Sequence, residues 1–140
     1  MNMQISPEEL FGDLLLERHG DRLLLPDAPV ISDSRHLIPG AIFAAIPGTG
    51  CDGNRFIPDA LRTGVSAVIH TAKLDAYPPD VLFCRVKDSR QALSLLCRFR
   101  CKNPDRKLKV YGITGTNGKT TSAYLLRPFF LSFREVLRRQ

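Results

Sequence analysis

The chain has 140 residues, of which 44% are hydrophobic, 24% charged and 8% aromatic, which suits one compact domain and leaves little room for a second. No apolar run approaches the roughly 18 to 20 residues of a membrane span, and the start shows no basic segment leading into an apolar stretch. Membrane and disordered classes are therefore excluded, and a cytoplasmic protein with no membrane partner is expected. The net charge of +6 is unevenly spread: residues 1–80 carry 6 basic and 11 acidic side chains, and residues 81–140 carry 14 basic and 3 acidic. The later half suits a phosphate-bearing partner, or else presents a solvated basic helix face.

In chain order, Ser6-Pro7-Glu8-Glu9 predicts a helix start with a capping box. Leu10, Phe11, Leu14 and Leu15 give the helix its apolar face, and Gly20 its stop. Val30 to Arg35 reads as a short strand running into a loop, and Pro39-Gly40 as a turn. Ala41 to Ile46 has buried-strand character. The following loop, Pro47-Gly48-Thr49-Gly50-Cys51-Asp52-Gly53, has several glycines free to take positive φ. A helix is predicted over 54–63, stopped by Gly64, then strands over 65–70 and 81–86. Asp88 caps a further helix whose inward stripe is Ala92, Leu93, Leu96 and Cys97. Residues 102–107 look like a hinge. This alternation makes the class α/β with a parallel or mixed sheet.

Cys51, Cys84, Cys97 and Cys101 form no C-x-x-C pair, and His19, His36 and His70 lie far off in sequence. No metal-ligand cluster emerges, and reduced thiols are expected.

Leu108 to Ile113 has strand character and runs directly into Thr114-Gly115-Thr116-Asn117-Gly118-Lys119-Thr120-Thr121. A strand, a glycine-containing loop ending in Gly-Lys-Thr and a helix start are the context of a phosphate-binding loop. The spacing departs from G-x-x-x-x-G-K-[ST], which needs glycine where this chain has Ile113; a structural glycine turn is the alternative. In a nucleotide site, backbone N–H groups and the helix dipole hold phosphate oxygens. Lys119 reaches the terminal phosphates, and the Thr120 hydroxyl goes to Mg2+.

That variant loop, with Gly112, Gly115, Gly118, Lys119, Thr120 and Thr121, resembles the ATP loop of the Mur ligase family. Upstream, Asp33-Ser34-Arg35, Pro39-Gly40, Ile42-Phe43-Ala44, Pro47-Gly48, Asp52-Gly53, Phe56-Ile57-Pro58, Ala60 and Gly64 resemble the N-terminal domain of the branch that adds the third residue of the peptidoglycan stem peptide. The likeness runs from about Ile31 to Leu126.

The resemblance implies a UDP-binding domain over 1–105, with a mixed sheet flanked by helices. It implies the first strand, P-loop and truncated helix of an ATP-binding domain over 106–126, and leaves 127–140 as an atypical tail. It also implies ATP-dependent amide ligation through an acyl phosphate, with ATP as co-substrate and Mg2+ as cofactor. The partners it implies are UDP-MurNAc-L-Ala-D-Glu and an amino acid; a monomer is expected.

Site residues implied for the UDP substrate are Ser32, Ser34, Thr49, Gly50 and Cys51. For ATP they are Gly115, Thr116, Asn117, Gly118, Lys119, Thr120 and Thr121, with Lys119 catalytic and Thr120 on the metal. A turn-capping role beside Asp33 is the alternative for Ser34.

Pro128 is expected to interrupt the helix after Lys119, since proline inside a helix costs about 3 kcal/mol. So short a segment past the loop leaves the ATP site incomplete, and the chain is expected to be inactive alone. A stand-alone UDP-sugar-peptide-binding module is the alternative. Nucleic-acid binding is not expected, because the basic residues come without a recognisable motif.

Overall fold

The computed structural model describes residues 4–25, 27–108 and 111–138. The chain divides into two compact units, Met1–Pro104 and Asp105–Gln140.

The first unit is built on a five-stranded sheet in the order β1-β5-β4-β3-β2. Its strands are β1 (Leu15–His19), β2 (Val30–Ile31), β3 (Ile42–Ala44), β4 (Ala67–His70) and β5 (Leu82–Val86). Strands β2 to β5 are mutually parallel, and β1 pairs antiparallel with β5 along the outer edge. The mixed α/β architecture expected from the alternation of elements is present.

Three helices flank the sheet: α1 (Pro7–Phe11), α2 (Ile57–Thr63) and α3 (Ser89–Arg100). Alternation along β3 sorts the core into two faces. Ile42 joins Phe11, Ile69, Leu82, Cys84, Ala92 and Leu96 on the α1 and α3 side. Ala41, Phe43 and Ala45 join Ile57, Ala60, Val68 and Phe83 on the α2 side. Because both faces are covered, β3 and β4 are apolar along nearly their whole length, as buried parallel strands are. The Cys84 thiol lies in this interior, and burial pushes its pKa up to about 12, so it packs as a small apolar group.

The first helix is shorter than its sequence pattern. The capping box forms as expected, with Ser6 Oγ accepting from the Glu9 N–H and the Glu9 carboxylate from the Ser6 N–H. The helix nevertheless ends at Phe11, where Gly12 takes φ +49°. Leu15 then opens β1, since ladder bonds to β5 satisfy its backbone and the edge of the core takes its side chain. Gly20 ends that strand rather than a helix; a Cβ there would stand 2.9 Å from the Val81 carbonyl oxygen.

The predicted helix over 54–63 begins as a tight turn, Gly53–Phe56, before α2, and Gly64 stops it in the left-handed region at φ +83°. In α3 the buried stripe is Ser89, Ala92 and Leu96. Cys97 is exposed and Leu93 half-buried, because i, i+3, i+7 spacing from Ser89 turns the inward face away from Cys97. After α3, Lys102 and Asn103 take φ +59° and +51°.

In the second unit Tyr111 to Thr114 forms no strand, and Lys109 and Val110 lie outside the described residues. Helix α4 (Lys119–Arg138) runs on through Pro128 instead of stopping there. Its first turns carry exposed Tyr124, Leu125 and Phe129, and Tyr111 stacks on Phe130 with ring centroids 4.5 Å apart.

Candidate functional site

In parallel sheets ligands gather beyond the carboxyl ends of the strands. On this sheet that edge carries residues 32–36 after β2, residues 45–54 after β3, Thr71 after β4, and Lys87 to Arg90 after β5.

The β2 exit is a tight turn, Ser34–His36, capped by Asp33 Oδ1, which accepts from the Arg35 N–H at 3.0 Å. The Arg35 guanidinium pairs with the same carboxylate at 2.6 Å, with His36 Nδ1 3.5 Å away. Those hydrogen bonds hold the Asp33 carboxyl well below the usual carboxylate range. Asp33, not Ser34, is thus the cap, and the Ser32 and Ser34 hydroxyls make no hydrogen bond among the described residues.

The β3 exit is a compact loop over 47–53. Pro47 and Asp52 bridge across its base, the Gly48 N–H donates to Cys51 O at 3.0 Å, and the Gly53 N–H donates to Ile46 O at 3.0 Å. Its glycines answer a different need from the one expected: none of Gly48, Gly50 and Gly53 has positive φ. A Cβ on Gly48 would lie 2.8 Å from Cys51 O, and one on Gly53 would lie 2.6 Å from both Ile46 N and Ile46 O. Close backbone approach therefore requires glycine at 48 and 53. Gly50, with open space around it, sits at the tip with exposed Thr49 and Cys51.

Two anchors tie this loop to its neighbours, and neither was read from the sequence. Asn54 exchanges bonds with Thr71 beyond β4, its Nδ2 donating to Oγ1 at 3.2 Å and its Oδ1 accepting from the Thr71 N–H at 3.3 Å. Arg90 Nη2, from the first turn of α3, donates to Pro47 O at 3.0 Å. The Asp52-Gly53-Asn54 turn, with the required glycine at its centre, is the only sequence signal for the first anchor, and Arg90 leaves none. Because β2 and β3 pair in register, Val30 with Ile42 and Ile31 with Phe43, their exits carry Ser32, Ser34 and Thr49 to Cys51 along one edge. A cleft of about 220 Å³ adjoins the loop, lined by Pro47, Thr71, Lys87, Asp88, Ser89 and Arg90.

The glycine-rich loop of the second unit leads into α4. Gly118 has φ +76°, and its carbonyl accepts from the Ser122 N–H at 2.9 Å, opening the helix. Lys119 Nζ folds onto loop carbonyls, donating to Gly115 O at 2.6 Å and Thr116 O at 3.3 Å. These neutral acceptors are weaker partners for the ammonium than a phosphate oxygen would be. The first amides of α4 have no partner within the helix, so the donor set fits a polyphosphate. Magnesium draws several of its octahedral oxygens from water and phosphate, and the Thr120 hydroxyl at the helix start is an oxygen donor of the kind that would fit beside it.

A family model described as Mur ligase family, catalytic domain, matches residues 30–100. The chain belongs to the Mur ligase family. Among curated relatives, the UDP-N-acetylmuramoyl-L-alanyl-D-glutamate--2,6-diaminopimelate ligase of Chlorobium phaeobacteroides is 43% identical over 108 residues, 76% of this chain and 21% of that one. The enzyme of the same name from Solibacter usitatus is 46% identical over 95 residues, 66% of this chain and 19% of that one.

The structural neighbours are also Mur ligases. The D-alanyl-D-alanyl-adding ligase of Acinetobacter baumannii superposes with a TM-score of 0.60 at 25% identity, covering 85% of this chain and 26% of that one. The MurF ligase of Thermotoga maritima in complex with ADP gives 0.54 at 30% identity, covering 69% of this chain and 21% of that one. This Mur ligase chain spans about a fifth of the length of the two curated relatives named.

Proposed function

We propose that this chain supplies the UDP-substrate-binding domain and the ATP loop of a Mur ligase that adds the third residue of the peptidoglycan stem peptide. The observation that carries this reading is the 43% identity over 108 residues to a ligase named for UDP-N-acetylmuramoyl-L-alanyl-D-glutamate and 2,6-diaminopimelate. The free hydroxyls of Ser32 and Ser34 and the loop tip Thr49-Gly50-Cys51 give that substrate a place to bind, with donors and acceptors suited to uracil edges and diphosphate oxygens.

In the second unit the backbone of Gly115 to Thr121 cradles the ATP phosphates, and Lys119 supplies a point charge to the terminal ones. Mg2+, where bound, neutralises phosphate charge beside the Thr120 hydroxyl. Lys119 favours the charge that builds as a phosphoryl group moves to the substrate carboxylate. Attack on the resulting acyl phosphate by an amino acid's amine then makes the amide, with inorganic phosphate leaving as the carbonyl C–O bond breaks and the amine giving up a proton. The roles proposed for these residues are to hold the UDP substrate and the ATP phosphates, so binding without ligation is what they predict for the chain alone.

Calorimetry with UDP-MurNAc-L-Ala-D-Glu, together with a turnover assay containing ATP, Mg2+ and 2,6-diaminopimelate, tests the proposal. Saturable binding without turnover is expected. Absence of binding overturns the substrate assignment, and steady amide formation overturns the inactivity.

A further inference from the structure

Arg90 touches the proposed substrate loop from an element that carries none of its residues. Its own N–H is taken by the capping carboxylate Asp88 Oδ1 at 2.8 Å. Its side chain crosses to the carbonyl of Pro47, 43 residues earlier, at 3.0 Å. Pro47 is one half of the bridge at the base of the loop, facing Asp52.

On the other side of that base, Asp52 Oδ1 accepts from Asn54 N and Nδ2 at 3.0 and 2.7 Å, and Asn54 pairs with Thr71. Thr71 O lies 3.5 Å from Arg85 Nε, whose guanidinium is held by Glu17 at 2.8 Å. The loop therefore hangs between a strand-side anchor through Asn54 and a helix-side anchor through Arg90. Thr49, Gly50 and Cys51 at the tip are exposed, so their conformation depends on how firmly the base is fixed.

We infer that Arg90 is a positioning residue: its guanidinium fixes the base of loop 47–53 so that the tip meets a uridine-diphosphate-linked ligand in a preset conformation. This rests on the reading of the loop as a substrate-binding element given above. A preset loop spares the ligand the ordering cost that a mobile one imposes. The bond is exposed to solvent, which screens the advantage of a charged donor, so its effect lies in fixing where the Pro47 carbonyl sits.

The test compares the full chain with Arg90→Ala, Arg90→Gln and Arg90→Lys in two measurements, amide hydrogen exchange without ligand and calorimetric titration with UDP-MurNAc-L-Ala-D-Glu. In Arg90→Ala the Gly48 and Gly53 amides are expected to exchange at least threefold faster while β4 and β5 amides keep their rates. Affinity is expected to fall by roughly threefold to tenfold. Arg90→Lys, which keeps a charged donor, regains part of both effects, and Arg90→Gln serves if the alanine variant unfolds.

Unchanged loop exchange, or equal affinity in Arg90→Ala and wild type, overturns the inference and leaves the substrate assignment standing. A wild-type chain that does not bind the nucleotide overturns the substrate assignment itself, whatever the exchange rates show.

Discussion

At Gly53 a methyl group has nowhere to go, because it would lie 2.6 Å from two backbone atoms of Ile46. Gly53→Ala is expected to cost about 1 to 3 kcal/mol as the loop base is forced open, read as a fall in the urea midpoint. The glycines were legible in the sequence, but the reason for two of them was not: composition signals a turn, whereas close approach depends on where Ile46 runs.

His70 behaves similarly. It is fully buried, its Nδ1–H donates to Ala72 O at 2.8 Å, and Nε2 has no partner among the described residues. Burial, above all, lowers its pKa from the ordinary 6.5. A depressed histidine leaves the unfolded chain binding more protons than the folded one between the two pKa values. Stability is therefore complete above pH 6.5 and declines as the pH falls toward the folded-state value. Thermal melts are expected to show this slope in wild type and to lose it in His70→Asn, which keeps a donor for Ala72. In the second unit, Lys119→Ala is expected to weaken ATP binding at least tenfold, since a charge-assisted bond to phosphate is worth roughly 1.5 to 3 kcal/mol.

Element ends were harder to read than element types. Ser6, Asp88 and Gly64 are legible as caps because each acts on its own neighbours, and the structure puts all three to that use. Gly64→Ala has open space for its methyl at φ +83°, so the expected cost is only the conformational one of about 1 kcal/mol, measured by thermal or urea unfolding. Contrasting this with Gly53→Ala separates backbone strain from steric conflict. The stretch after Phe11 carries a helical signal, because Leu14 and Leu15 fit helical spacing. β1 instead takes Leu15 through its pairing with Val86, a partner 71 residues away that no local pattern reveals. Pro128 carries a local cost to the helix, yet α4 continues through it.

For the whole molecule, the α/β class and the order of the two motifs were legible, because hydrophobic alternation and glycine-rich loops are local signals. The sheet order, and with it the edge that gathers residues 32–34, 47–54, 71 and 87–90, was not, since strand pairing is non-local. The opposite edge of the sheet holds a rival cleft of about 370 Å³, lined by Arg22, Leu61, Gly64, Val65, Pro78, Asp80 and Val81. On the proposed function, the nucleotide-linked substrate binds at the carboxyl edge of β2 and β3. Backbone amide NMR of the full chain, titrated with UDP-MurNAc-L-Ala-D-Glu, tests this directly. Saturable shifts centred on Ser32, Ser34 and Thr49 to Cys51 are the expected result, and shifts confined to the Arg22, Gly64 and Val81 cleft, or none, would contradict it.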